Sequence, residues 1–141
     1  MKIIEVTRIA KKATAQDLWN LWADLSRRTE WDSDLDSITS DEPFGLGQKG
    51  VVTLKGQPAR KFEVIESVKD QAYTDRFFLP AGGKMDWHHT LKQTPEGIEV
   101  KWLVVVHGPT AFILRPIMKS ILDKALPGVV DKFIELAESG K

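Results

Sequence analysis

Three histidines, His88, His89 and His107, and the tryptophans Trp87 and Trp102 are the residues whose types and spacing could do chemistry in this 141-residue chain. An imidazole titrates near neutral pH, so a histidine held among apolar side chains is a candidate hydrogen-bonding anchor or general base. His88 and His89 are neighbours on a segment that reads as a strand, so they leave opposite faces and cannot grip one ion together. His107 falls on the outward side with His88. The chain has no cysteine and no pair of histidines at helical i, i+4 spacing around a glutamate, so a metal's three or four ligands are not assembled and no metal site is expected. Serines lie outside any nucleophile elbow and no glycine-rich loop opens a helix, so no cofactor or phosphate cradle is expected either. His89 remains as the ionisable residue on the apolar face of its strand. Arg76 and Asp86 are further polar candidates, with Asp86 facing outward by parity, and Arg115 falls on a solvated helix face.

The elements that must position His89 are a hairpin and a helix. Met85, Trp87, His89 and Leu91 share one face of the first strand; Ile98, Val100, Trp102, Val104 and Val106 share one face of the second. The turn between them is Thr94-Pro95-Glu96-Gly97, with proline presetting one backbone angle and glycine accepting a positive one. Placing Gln93 opposite Ile98 sets Leu91 against Val100, His89 against Trp102, Trp87 against Val104 and Met85 against Val106. A slip of one residue would set apolar against polar throughout. Gly108-Pro109 then leads into a helical tail in which Met118, Leu122, Ala125 and Val129 form a stripe, with Ile113, Ile117 and Ile121 beside it. Pro116 stands in the first two turns, whereas Pro127-Gly128 is expected to kink or split the helix and is a candidate hinge for a portal. Beyond it, Val130, Phe133, Ile134 and Ala137 form the face to be buried.

Earlier in the chain, Lys2 to Ile9 alternates as a strand, and Thr14 is the expected N-cap of a helix, with Asp17 positioned to complete a capping box. Leu18, Leu21, Trp22 and Leu25 bury one face of that helix, widened by Trp19. Ser26 to Trp31 makes a second short helical turn. Leu35 to Leu79 reads as antiparallel strands separated by glycine-bearing and polar turns. Phe62 and Val64 share a face there, Ile65 and Glu66 break the alternation, and the adjacent Phe77 and Phe78 must point to opposite faces.

Composition narrows the function classes. With 42% hydrophobic and 28% charged residues the chain reads as one soluble globular domain over residues 1–141. Twenty basic residues balance twenty acidic ones, which leaves no positive excess to condense onto nucleic acid. No apolar run reaches the roughly eighteen residues that a membrane-spanning helix requires, and Glu5 interrupts the apolar core a signal peptide would need. The absence of cysteine fits a reducing compartment, and the cytoplasm is the expected location.

The order of these elements resembles the helix-grip fold of the START and Bet v 1-like (SRPBCC) superfamily, and within it the bacterial polyketide cyclase/dehydrase and lipid-transport-like group. The features that carry the resemblance are the Ala15-to-Trp22 helix, Trp31, the Gly45-Leu46-Gly47-Gln48-Lys49-Gly50 join, the Leu91 strand with its Thr94-Pro95-Glu96-Gly97 turn, and Gly108-Pro109. The resemblance implies an α+β architecture: a seven-stranded curved antiparallel sheet wrapped around a long C-terminal helix, two short helices after the first strand, and a hydrophobic cavity between. The expected site is lined by Phe62, Trp87, His89, Trp102, Val104, Ile117, Met118, Ile121 and Leu122, with His89 fixing the polar end of a lipid, isoprenoid or aromatic polyketide-like ligand. A cyclase or dehydratase using His89 as acid and base is the second reading. A co-chaperone or membrane-complex accessory protein is the third, drawing on Leu103 and Val105 on the outward face. The expected partner is a small hydrophobic molecule, and the expected state a monomer or homodimer.

Overall fold

Alternating sequence becomes a one-sided sheet because a pleated strand turns every second side chain to the same face. The computed structural model describes residues 1–140. Its strands are β1 (Lys2–Ala10), β2 (Leu35–Thr39), β3 (Lys49–Leu54), β4 (Arg60–Val68), β5 (Ala72–Phe78), β6 (Lys84–Thr94) and β7 (Gly97–His107). From β2 to β7 they form an antiparallel meander, and β1 pairs with β7, giving the order β1-β7-β6-β5-β4-β3-β2 in one seven-stranded sheet. In the β6–β7 hairpin Gln93 faces Ile98, Leu91 faces Val100, His89 faces Trp102, Trp87 faces Val104 and Met85 faces Val106, the expected pairing throughout. The register shifts between Lys2 and Ile4, between Leu35 and Ser37, and between Val64 and Glu66. Such irregularities bend a strand and increase its twist. The last one accounts for the broken alternation at Ile65: Glu66 is exposed on the outer face and accepts a hydrogen bond from Thr74 Oγ1 at 3.1 Å. Of the two adjacent phenylalanines, Phe77 is buried and Phe78 is on the outside.

The N-terminal helices close one end of the curled sheet. Helix α1 (Ala15–Ala23) begins at a complete capping box, in which the Asp17 N–H donates to Thr14 Oγ1 at 3.1 Å and the Thr14 N–H donates to Asp17 Oδ2 at 3.0 Å. Its Leu18, Trp19, Leu21 and Trp22 are buried. A 3-10 turn (Leu25–Arg27) leads into the single turn of α2 (Arg28–Trp31), which buries both Arg28 and Trp31.

Helix α3 (Ala111–Ser139) is one uninterrupted element with Pro116 and Pro127 inside it, so the expectation that Pro127-Gly128 splits the helix is corrected. Proline there deprives only the carbonyl four residues earlier of its partner. That residue, Asp123, is exposed, so water can take the place of the missing N–H. Ala111, Met118, Leu122, Leu126, Val129, Val130, Phe133 and Ile134 face the sheet, whereas Ala137 and Ala125 are only half-buried. Phe133 stacks on Trp22 with ring centroids 5.0 Å apart, and Trp102 and Trp31 meet it edge-on at 5.2 and 4.9 Å. Phe112, Ile113, Ile117 and Ile121 are exposed. Among the described residues no helix is long and apolar enough to cross a membrane.

Candidate functional site

A cleft remains where α2, the concave face of the sheet and the middle of α3 meet. Trp31, Phe77, Trp87 and Trp102 supply aromatic wall, and Leu35, Ile38, Val52, Leu54, Leu122, Leu126 and Val129 supply aliphatic wall. Arg28, Asp32, Asp34, Asp75 and His89 are the polar members. The cleft has a volume of about 40 Å³ and opens to solvent. A single water needs roughly 10–15 Å³ by the same measure, so the cleft holds a few waters.

The polar group is centred on a buried guanidinium. Arg28 is only 5% exposed. Its Nη2 donates to the Trp22 carbonyl at 2.7 Å, its Nη1 lies 3.7 Å from Asp75 Oδ2, and its plane covers Trp31 at 5.3 Å from the ring centroid. Asp75 projects inward because it shares parity with Tyr73 and Phe77 on β5, which places a carboxylate among aromatic rings. Burial pushes its pKa up to about 6, against the pull of Arg28. Asp32, the C-cap of α2, is likewise raised to about 6 by desolvation, opposed by Arg28 and by the Asp34 N–H that donates to Asp32 Oδ1 at 3.2 Å.

His89 is 3% exposed and stacked on Tyr73, with ring centroids 4.0 Å apart and planes 4° from parallel. Trp22 and Trp102 present edges to it at 5.4 and 4.9 Å. Burial, reinforced by the positive charge of Arg28, holds its pKa well below the usual imidazole value, so the ring is neutral at pH 7. Its Nδ1 lies 3.2 Å from the Tyr73 carbonyl oxygen. A carbonyl can only accept, so Nδ1 carries the proton and Nε2 is the basic nitrogen. Burial also pushes the Tyr73 phenol well above its ordinary value. The end of the cleft therefore combines a fixed cation, a carboxyl group that titrates near neutrality and a neutral imidazole, the components of proton transfer or of polar-group anchoring. Among the described residues no three histidine, aspartate or glutamate side chains stand together as metal ligands do.

No protein-family model matches the chain, and no curated protein matches it. Solved structures do. A hypothetical protein from Helicobacter pylori superposes with a TM-score of 0.79 at 13% identity, over 94% of this chain and 86% of that one. The di-domain ARO/CYC StfQ from the steffimycin biosynthetic pathway gives 0.75 at 13% identity over 99% of this chain, which spans about half (51%) of StfQ. Ara h 8.0201 gives 0.68 at 14% identity over 96% and 97% of the two chains. The chain shares the helix-grip fold of these structures. At these identities the similarity concerns architecture, and activity must be sought in the site.

Within the helix grip, Trp87, His89, Trp102 and Leu122 of the expected site line the cleft. Phe62, Val104 and Met118 are buried in the core away from it. Ile117 and Ile121 are 53% and 40% exposed, so their expected place in the cavity wall is corrected. They lie one residue, about 100°, around the helix from Met118 and Leu122, enough to carry them from the inner face to solvent. Arg76 and Asp86 pair on the outer face, where Arg76 Nε and Nη2 donate to the Asp86 carboxylate at 2.8 and 2.9 Å and His107 Nε2 lies 3.0 Å from it. Arg28, Asp32 and Asp75, from elements outside the hairpin, join His89 at the cleft. Asp75 was marked by its parity with Tyr73 and Phe77; Arg28 carried no such mark, since a four-residue helix has no period to read.

Proposed function

We propose that this protein binds a small, largely apolar molecule with one polar end in the cleft between the sheet and α3. The observation that supports it is the asymmetry of the wall, with aromatic and aliphatic side chains around most of the cleft and Arg28, Asp75 and His89 gathered at one end. A compact ring system of the aromatic polyketide kind suits the cleft better than an extended lipid or isoprenoid chain, because little enclosed volume is present. A dry cavity that takes benzene is on the order of 150 Å³, so a ring ligand widens the cleft as it binds.

Trp31, Trp87 and Trp102 line the cleft and report on its contents. Titration with aromatic polyketides and with fatty acids should give saturable quenching of tryptophan fluorescence by the former. Linear, non-saturating quenching with every apolar compound would defeat the reading.

A second reading, cyclase or dehydratase chemistry, is favoured by the unprotonated Nε2 of His89 in a cleft that also holds a carboxyl group whose pKa is about 6. It predicts that His89→Gln abolishes turnover of a reactive chain while binding is weakened but still measurable. A carrier would show binding and no product.

A further inference from the structure

The polar end of the cleft holds an unused donor, an underused acceptor and an excess of negative charge. Arg28 commits Nη2 to the Trp22 carbonyl, but its Nε–H is out of solvent and has no partner. Asp75, 4% exposed, has the guanidinium 3.7 Å away, beyond hydrogen-bonding length. The charged and titratable groups that line the cleft with Asp75 are Arg28 from α2, Asp32 and Asp34 from the α2–β2 corner, and His89 from β6, with Lys55 on the turn leaving β3 acting on Asp32 from outside the lining. Tyr73, its neighbour on β5, has a buried hydroxyl without a partner.

Arg28 within the cleft and the exposed Lys55 beside Asp32 thus stand against three carboxylates, with the imidazole neutral. A ligand carboxylate brought to this end would add a further anion where water is scarce and charge repulsion is weakly screened. A buried N–H and a buried carboxylate that each want a partner are both satisfied by a group that accepts from the first and donates to the second.

We propose that the ligand's polar end is a neutral group with an acceptor and a donor side by side, such as a carboxamide or an enol next to a carbonyl, its acceptor on Arg28 and its donor on Asp75. The inference rests on the cleft being a ligand site, and it excludes free fatty acids and aromatic carboxylates as the preferred class.

Two probes of nearly equal shape separate the cases: 2-naphthamide, neutral with both functions at one end, and 2-naphthoate, an anion with acceptors alone. At pH 8, tryptophan-fluorescence titration of the intact protein should show the amide binding at least about tenfold more tightly, a difference of ~1.4 kcal/mol. At pH 5 Asp75 and Asp32 are protonated while the naphthoate is still ionised, so the gap should narrow. Asp75→Asn, measured at pH 8 after its fold is checked by circular dichroism, isolates the contribution of Asp75 and should narrow the gap in the same way. Naphthoate binding as tightly as the amide at pH 8 would overturn the inference and leave the cleft as a ligand site. An amide preference that is the same at both pH values would remove Asp75 from the assignment and overturn it too. Absence of saturable binding by either probe would overturn the inference together with the ligand site itself.

Discussion

Arg28→Met retains most of the side chain's length and apolar stem while deleting the guanidinium, and so leaves Asp75 as a buried, uncompensated carboxylate. Both side chains are 6% exposed, and removing one partner of a buried ion pair costs about 3–5 kcal/mol. The loss should depend on pH in a direction fixed by Asp75 and Asp32, both raised to about 6 by burial and both held down by Arg28. For each, the folded pKa of about 6 lies above the 3.8 of the free group, so the folded state binds this proton more tightly than the unfolded state does. Stability from each carboxyl is therefore greatest below pH 4 and falls as pH rises through 6, by roughly 3 kcal/mol for two units at 1.36 kcal/mol each. Without Arg28 both values climb further. The variant therefore carries most of the ~3–5 kcal/mol broken-pair penalty at pH 8 and little of it at pH 5, where Asp75 and Asp32 are mostly neutral in both proteins. What remains at pH 5 is the lost hydrogen bond to the Trp22 carbonyl, about 1 kcal/mol. Urea denaturation followed by tryptophan fluorescence at the two pH values measures both numbers. Equal losses within about 0.5 kcal/mol, or a greater loss at pH 5, would refute the placement of Asp75 and Asp32 as carboxylates held by Arg28.

Three further substitutions test the packing around the site. A Cβ added at Gly50 would stand 2.1 Å from the Thr39 carbonyl oxygen and 2.7 Å from the Phe62 ring, so Gly50→Ala should destabilise by about 1–3 kcal/mol through displacement of β3, seen as a lower Tm. Ile117→Ser should change stability by less than about 1 kcal/mol because the side chain is 53% exposed, whereas Leu122→Ala should cost about 2–5 kcal/mol. Chemical denaturation that ranks the two in the opposite order would place the wrong face of α3 against the sheet.

The hairpin was legible because β6 and β7 alternate without a break, and their turn admits only one register in which apolar side chains meet. The capping box at Thr14 was equally legible, since it depends on residues three apart. The helix was harder to read. Two parallel apolar rows, Ile113-Ile117-Ile121 and Met118-Leu122, have the same spacing, and which of them is buried depends on how α3 rotates against a sheet formed by other segments. The polar end of the cleft was harder still. Arg28, Asp75 and His89 come from a one-turn helix and two strands, and only the curl of the sheet brings them together. The exposed Asp123 explains why a proline that reads as a breaker is accommodated in an unbroken helix.

Indole N–H signals in two-dimensional NMR test the central claim most directly, because three of the five tryptophans line the cleft and Trp19 does not. Titration with 2-naphthamide should shift the signals of Trp31, Trp87 and Trp102 along one common saturation curve while Trp19 stays still. Shifts confined to Trp19, or no saturable shift at any indole, would contradict a ligand site between the sheet and α3.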